Sequence, residues 1–99
     1  MRPIHIADLD KPRPVVVLTR QVARAVLVNV TVAPITSRIR GIAVEVLVGP
    51  ENGLEQTSVV NCDNIQTIPV AALGRQIGGL LHDQEPALTE AILAAYDLA

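Results

Sequence analysis

The sequence predicts an α+β fold that is mainly β: a small SH3-like barrel of five to seven short strands with a C-terminal helix packed on it. Three observations lead there. Val, Ile and Leu recur at every second residue in several short segments, the period of a half-buried strand. Clusters of Gly, Pro, Asn and Asp separate those segments. A helical pattern is clear only at the end of the chain, and strands followed by one helix suit a partly closed barrel with the helix on it.

The elements follow in order. Ile4 and Ile6 alternate with His5 and Ala7, which predicts the first strand with His5 facing away from the core. Asp8-Leu9-Asp10-Lys11-Pro12 reads as a turn. Arg13-Pro14 leads into Val15-Val16-Val17-Leu18-Thr19, a β-branched run and a strand. Residues 26–33 read as the next strand. Val26, Val28, Val30 and Val32 share one face, Leu27, Asn29, Thr31 and Ala33 the other, and Pro34 is expected to end it because proline donates nothing to a ladder. Thr36 to Gly41 is a polar loop. Ile42, Val44, Val46 and Val48 alternate again, with Glu45 on the opposite face.

Gly49-Pro50-Glu51-Asn52-Gly53 is turn chemistry. Thr57 to Cys62 reads as a fifth strand, Asp63-Asn64 as a bend and Ile65 to Ile68 as a short sixth strand. Pro69 suits the start of a helical turn over Val70 to Leu73. Residues 75–81 fit no single element, because Gly78-Gly79 weakens a helix. In the last segment Asp83 is the expected N-cap, with Glu85 and Pro86 in the first turn. Leu88, Ile92, Ala95 and Tyr96 then fall on one helix face.

Ninety-nine residues, 49% of them hydrophobic, suffice for a single domain over 1–99 and exclude a complete dinucleotide-binding dehydrogenase, a kinase or a (β/α)8 barrel. Phe and Trp are absent and Tyr96 is the single aromatic residue, so the core is built of Val, Ile, Leu and Ala. No apolar run approaches the roughly 18 residues of a spanning helix, and no membrane partner is expected. Met1 to Asp10 lacks the apolar stretch of a signal peptide. The lone Cys62 excludes an internal disulfide and fits a reducing, cytoplasmic location.

The net charge of −2 argues against a general nucleic-acid binder, but it hides an asymmetry. Residues 1–40 carry seven cations against two acids, and residues 41–99 one cation against eight acids. Such a split suits either a polyanion-binding face or two halves that pair with each other, and charge alone favours the latter. Seven of the eight cations are Arg, whose planar fork matches phosphate.

No metal site and no cofactor are expected. His5 and His82 lie far apart, and neither sits at ligand spacing with Cys62, which reads as a buried filler. Gly74-Arg75-Gln76-Ile77-Gly78-Gly79 lacks the strand and helix that a dinucleotide loop needs. What remains is Arg13 at the head of one strand and Thr36-Ser37-Arg38 just past the end of another. In an antiparallel meander these meet at one edge, and a guanidinium beside a hydroxyl suits a phosphate. The plainer reading pairs Arg13 with Asp8 or Asp10 and uses Thr36 to close a turn. On the residues alone that reading prevails.

Five segments change the balance. These are Ile4-His5-Ile6-Ala7-Asp8-Leu9-Asp10, Arg13-Pro14-Val15-Val16-Val17-Leu18, Val30-Thr31-Val32-Ala33-Pro34-Ile35-Thr36-Ser37, Gly53-Leu54-Glu55-Gln56-Thr57-Ser58-Val59-Val60 and Leu73-Gly74-Arg75-Gln76-Ile77-Gly78. In this order, and over nearly the whole chain, they resemble the bacterial MazF/PemK family of toxin endoribonucleases. The resemblance implies a MazF/CcdB-type barrel, a homodimer and metal-independent cleavage of single-stranded RNA at short sequences. It also implies inhibition by a cognate MazE-like antitoxin with an acidic, disordered segment.

Under that resemblance Arg13 and Thr36 take the catalytic positions. The ribose 2′-hydroxyl attacks the adjacent phosphate to give a 2′,3′-cyclic phosphate, Arg13 stabilises the developing charge, and Thr36 holds the phosphate in line. Ser37, Ser58, Asp63 and Asn64 fall where RNA contact is expected, and Lys11 and Arg38 where backbone phosphates are expected. The chain departs from the family pattern in its short Asp10-Lys11-Pro12 connection, in His5 where an aromatic residue is common and in Gln66 where Arg is common. The alternative function is that of a non-enzymatic CcdB-like toxin, which shares the barrel and inhibits a protein target such as gyrase. That action depends on the C-terminal helix rather than on an Arg–Thr pair.

Overall fold

The computed structural model describes residues 2–98. Seven antiparallel strands and two helices follow in chain order. They are β1 (Arg2–Asp8), β2 (Pro12–Val17), α1 (Gln21–Arg24), β3 (Asn29–Thr36), β4 (Glu45–Val48), β5 (Ser58–Asn61), β6 (Gln66–Pro69), β7 (Leu73–Leu80) and α2 (Glu85–Ala95). The strands form one curved sheet in the order β4-β5-β3-β2-β1-β7, with β6 on a second stretch of β3. This is the predicted mainly-β half-barrel with a C-terminal helix.

Alternation divides the aliphatic residues between two faces. Ile4, Val16, Ala33, Ile35, Val46, Val48, Val60 and Leu80 form one core, which α2 covers with Leu88 and Ala91. Ala7, Val15, Val17, Val30, Val32 and Ile68 form a second core on the other face. Cys62 is buried in the first, where burial and the nearby Asp63 push its thiol up to about 11. Such a thiol is inert at neutral pH.

Five details differ from the sequence reading. The strand expected over 26–33 begins at Asn29, and Val26 and Val28 are each 78% exposed. The short helix α1 intervenes, and Val26 and Leu27 still donate their N–H groups to Ala23 O as the chain leaves it. Nor does Pro34 end β3, which runs on to Thr36. Leu18 N–H donates to Thr31 O and Thr31 N–H to Thr19 Oγ1, both at 2.8 Å, so alternation turns the Pro34 nitrogen toward the opposite edge. There β6 pairs with residues 29–32 and β5 with 35–36, so the proline falls where the partner changes and no donor is needed.

Third, β4 starts at Glu45 rather than Ile42, because the preceding residues fold back onto the Glu45 carboxylate. Fourth, Asp83 is not the helix N-cap. A 3-10 turn over His82–Gln84 precedes α2 and places Gln84 there. Fifth, Tyr96 lies past the last turn and is 53% exposed instead of packed.

Residues 75–81 resolve as most of β7, and the glycines explain why. Gly53 (φ +89°) and Gly78 lie against each other's neighbours, so a Cβ on either would strike the carbonyl of Ile77 or of Asn52. The Pro50–Asn52 turn is thereby laid directly on β7. Arg2 fastens the helix to the sheet, giving its Nε to Glu85 at 3.1 Å and its Nη1 to Leu18 O at 3.1 Å.

Candidate active site

The second face of the sheet carries the site. Val15 and Pro34 are direct cross-strand partners of β2 and β3. Two residues along each strand, Arg13 and Thr36 stand opposite one another, on the same face as Val15 and Val32. Both line an open concavity of about 780 Å³. Arg38 and Arg40 line it from the loop after β3, and Asp63 and Asn64 from the 3-10 turn after β5. Gln66, the first residue of β6 and the cross-strand partner of Val32, completes that side.

Arg13 is held at one edge only. Its Nε donates to Asp10 Oδ1 at 2.8 Å and its Nη2 to Asp10 Oδ2 at 3.1 Å. The Nη1 edge makes no hydrogen bond to a described residue. A guanidinium fixed this way presents a directed pair of donors with little freedom left to lose. The Arg13 hydrogen bonds hold the Asp10 carboxyl down at about 2, from 3.8, while Asp10 raises Arg13 further above its ordinary value. Arg13 is therefore a cation and donor, not a base.

The sign of the pH effect follows. A depressed carboxyl pKa contributes stability above 3.8, and that contribution is lost as the pH falls toward 2. The pair stays charged at any pH where RNA is handled. Side-chain NMR should give Asp10 a midpoint near 2 in the parent and a clearly higher one in Arg13→Ala. An unchanged midpoint in the variant would disprove the pairing.

Thr36 Oγ1 accepts from Arg38 N–H at 3.1 Å, which closes a turn and leaves the hydroxyl proton free to donate. Both of the plainer sequence readings thus occur, Arg13 with Asp10 and Thr36 in a turn, and both coexist with a shared concavity.

The other candidates divide. Arg38, Asp63 and Asn64 line the concavity with Arg13 and Thr36. Lys11 and Ser37 are exposed nearby in sequence but do not line it. Ser58 is apart: it is 5% exposed, donates its Oγ to Gln56 O at 3.0 Å, and sits at the opposite end of β5 from Asn61. Its neighbour Val59 is the cross-strand partner of Thr36, but alternation turns Ser58 onto the opposite face, the one that Val60 and Val48, the β4 partner of Ser58, give to the first core. His5 gives its Nδ1 position to Gly74 O at 2.9 Å, filling the bulge between β1 and β7 rather than the concavity.

Five polar lining residues are not among the site candidates of the sequence reading: Asp10, Arg40, Glu45, Asn61 and Gln66. Among the described residues no group of three His, Cys, Asp or Glu side chains gathers as metal ligands, and no helix is long and apolar enough to cross a membrane.

Comparison with known proteins identifies the family and agrees with the fold. A family model described as "PemK-like, MazF-like toxin of type II toxin-antitoxin system" matches residues 4–95. The chain is 68% identical over 98 residues to "Endoribonuclease MazF3" of Mycobacterium tuberculosis (strain CDC 1551 / Oshkosh), across 99% of this chain and 95% of that one. It is 38% identical over 94 residues to "Probable endoribonuclease MazF5" of Mycobacterium tuberculosis (strain ATCC 25618 / H37Rv), across 94% of this chain and 85% of that one. The solved structure "Mycobacterium tuberculosis toxin MazF-mt6" superposes with a TM-score of 0.97 at 67% identity, covering 99% of both chains.

Proposed function

The chain belongs to the PemK-like, MazF-like toxin family of type II toxin–antitoxin systems and is a toxin endoribonuclease; from that premise we propose that it cuts single-stranded RNA at short sequences, without a metal ion, in the concavity shared by Arg13 and Thr36. The observation that carries this reading is the cross-strand opposition of those two residues, with the Nη1 edge of Arg13 unoccupied by any described residue.

The proposed reaction is a transesterification. The ribose 2′-oxygen forms a bond to phosphorus, the bond from phosphorus to the 5′-oxygen breaks, and a 2′,3′-cyclic phosphate remains. The 2′-hydroxyl loses its proton and the leaving 5′-oxygen gains one. Negative charge grows on the non-bridging oxygens, and the Arg13 fork offsets it where it grows. The Thr36 hydroxyl donates to the same phosphate and holds it for in-line attack. Arg38 and Arg40 offset flanking phosphates, while Asp63 and Asn64 offer acceptors and donors to unstacked bases. Lys11 and Ser37 flank this path.

Relatives named as endoribonucleases favour RNA over a protein target such as gyrase. The proposed partners are RNA, an antitoxin whose acidic segment suits the Arg-lined concavity, and a second copy of this chain. Val22, Val26 and Val28, each 78% exposed on α1 and the loop after it, are apolar side chains available to that copy. Val28→Asp should shift the sedimenting species from dimer to monomer. A parent that sediments as a monomer at micromolar concentration would remove the dimer from the reading. The proposed compartment is the cytoplasm, where such RNA is met.

The function is tested with a long, mixed-sequence single-stranded RNA in excess EDTA. Discrete fragments ending in cyclic phosphate are expected. Intact RNA in EDTA that is cut once magnesium is restored would overturn metal independence. Intact total cellular RNA under both conditions would overturn the activity.

A further inference from the structure

The two loops that wall the concavity are each fastened by one residue at the same end of the β4–β5 ladder. Glu45 and Asn61 are cross-strand partners in its terminal pair. The Glu45 carboxylate collects three successive backbone amides: Oε1 accepts from Arg40 at 3.1 Å, Gly41 at 2.8 Å and Ile42 at 3.4 Å. Gly41 lies at φ +74°, the left-handed conformation that wrapping a backbone around one carboxylate requires. This segment begins at Arg40 and continues the loop that carries Arg38, whose N–H is held by Thr36 Oγ1. Opposite it, Asn61 Oδ1 accepts from Asp63 N–H at 3.0 Å and starts the turn that carries Asp63 and Asn64.

Charge makes Glu45 informative. A carboxylate lining a groove for a polyanion opposes binding through its own field. All of its hydrogen bonds to described residues, however, come from backbone amides of the Arg-bearing loop, which spends the charge locally and fixes the loop. Ordering two Arg-bearing residues before RNA arrives removes an entropic penalty from association.

We propose that Glu45 and Asn61 are positioning residues for the RNA groove, Glu45 setting the cationic wall that grips phosphates and Asn61 setting the wall that reads bases. This rests on the reading of the concavity as the RNA site. It makes a prediction opposite in sign to simple electrostatics. Removing an acid from the groove by Glu45→Ala should weaken RNA binding, whereas a residue acting only through its charge would strengthen it.

The test is steady-state cleavage of single-stranded RNA by the full chain over a salt series. Glu45→Ala is expected to raise KM by about ten-fold while kcat stays within about two-fold. The slope of log KM against log salt should fall by roughly 0.7 for each phosphate that the loop no longer grips. Glu45→Gln keeps one acceptor oxygen without the charge and should fall between parent and alanine. A KM that is unchanged or lowered in both variants overturns the role of Glu45. If the alanine variant fails to melt cooperatively, the glutamine variant decides alone by the same criterion.

For Asn61 the readout is the set of cut sites on mixed-sequence RNA. Asn61→Ala should broaden the set, and Asn61→Asp, which keeps the oxygen accepting from Asp63 N–H, should restore it. An unchanged set in Asn61→Ala overturns the role of Asn61. A parent that leaves RNA intact overturns the functional reading itself, and a parent that cuts like both sets of variants overturns the positioning roles alone.

Discussion

Arg13→Ala is expected to slow single-turnover cleavage at saturating RNA by about 10²–10³-fold, the loss seen when one directed donor to a developing oxyanion is removed. The chain should fold as before. Arg13 sits at the rim of the concavity, its partner Asp10 is exposed, and the valines beneath belong to a core that neither side chain completes. Exposed ion pairs contribute little to stability, so the melting temperature should stay close to that of the parent. Arg13→Lys separates charge from geometry. A lysine keeps the cation but cannot bond both Asp10 oxygens through one edge while presenting another, so it should recover only part of the rate. Equal rates in parent and Arg13→Ala would remove Arg13 from the reaction. A full loss accompanied by a lowered melting temperature would instead make it a structural residue.

Much of that candidate site is legible in the sequence. Alternation in Ile4–Ala7 and Val30–Ala33 and the β-branched run Val15–Val17 mark neighbouring strands, and antiparallel strands bring the head of one to the tail of the next. Arg13 and Thr36 therefore meet for reasons of register, and the resemblance to a known family marked the same two positions. The misses have a common physical origin. Val26 and Val28 satisfy a strand pattern that α1 overrides, and exposed valines of this kind are indistinguishable from buried ones by period alone. Pro34 looks like a strand end until two different partners share one edge of β3. Alternation places Glu45 only on the face opposite Val44 and Val46, yet its carboxylate holds a loop segment that begins five residues upstream, at Arg40. Ser58 sits in a matching segment beside Val59, the partner of Thr36, but alternation turns its side chain onto the face of Val48 and Val60, away from the groove. Local pattern reports which residues face inward; which loops are fastened to which side chains depends on tertiary hydrogen bonds that the pattern does not contain.

Asn52→Ala should have the opposite profile, a large loss of stability with the chemistry spared. Asn52 is 1% exposed at the end of the Pro50–Asn52 turn. Its Oδ1 accepts from Gly49 N–H at 3.0 Å, and its Nδ2 donates to Gly79 O at 3.0 Å and to Gln84 Oε1 at 2.6 Å. Gln84 in turn accepts from Leu81 N–H at 2.8 Å. One amide thus joins a turn, the end of β7 and the entry to α2, the three pieces that seal the first core. Alanine leaves a backbone N–H, a carbonyl and a glutamine side chain without this partner in a place water reaches poorly. The expected cost is about 3 kcal/mol, since each stranded buried group contributes roughly 1–3. For a domain of this size that corresponds to a fall in Tm of about 12–24 °C. Neither Gly53 nor Gly78 allows relief by a shift, because the turn already rests on the β7 backbone at both positions. The concavity lies elsewhere, and Asn52 is not part of its lining. At a temperature well below its lowered Tm, Asn52→Ala should therefore cut RNA at the parental rate and at the parental sites. Calorimetry and cleavage on one preparation read both quantities. A Tm within about 3 °C of the parent would show that the amide is not the clasp that its hydrogen bonds to Gly49, Gly79 and Gln84 describe.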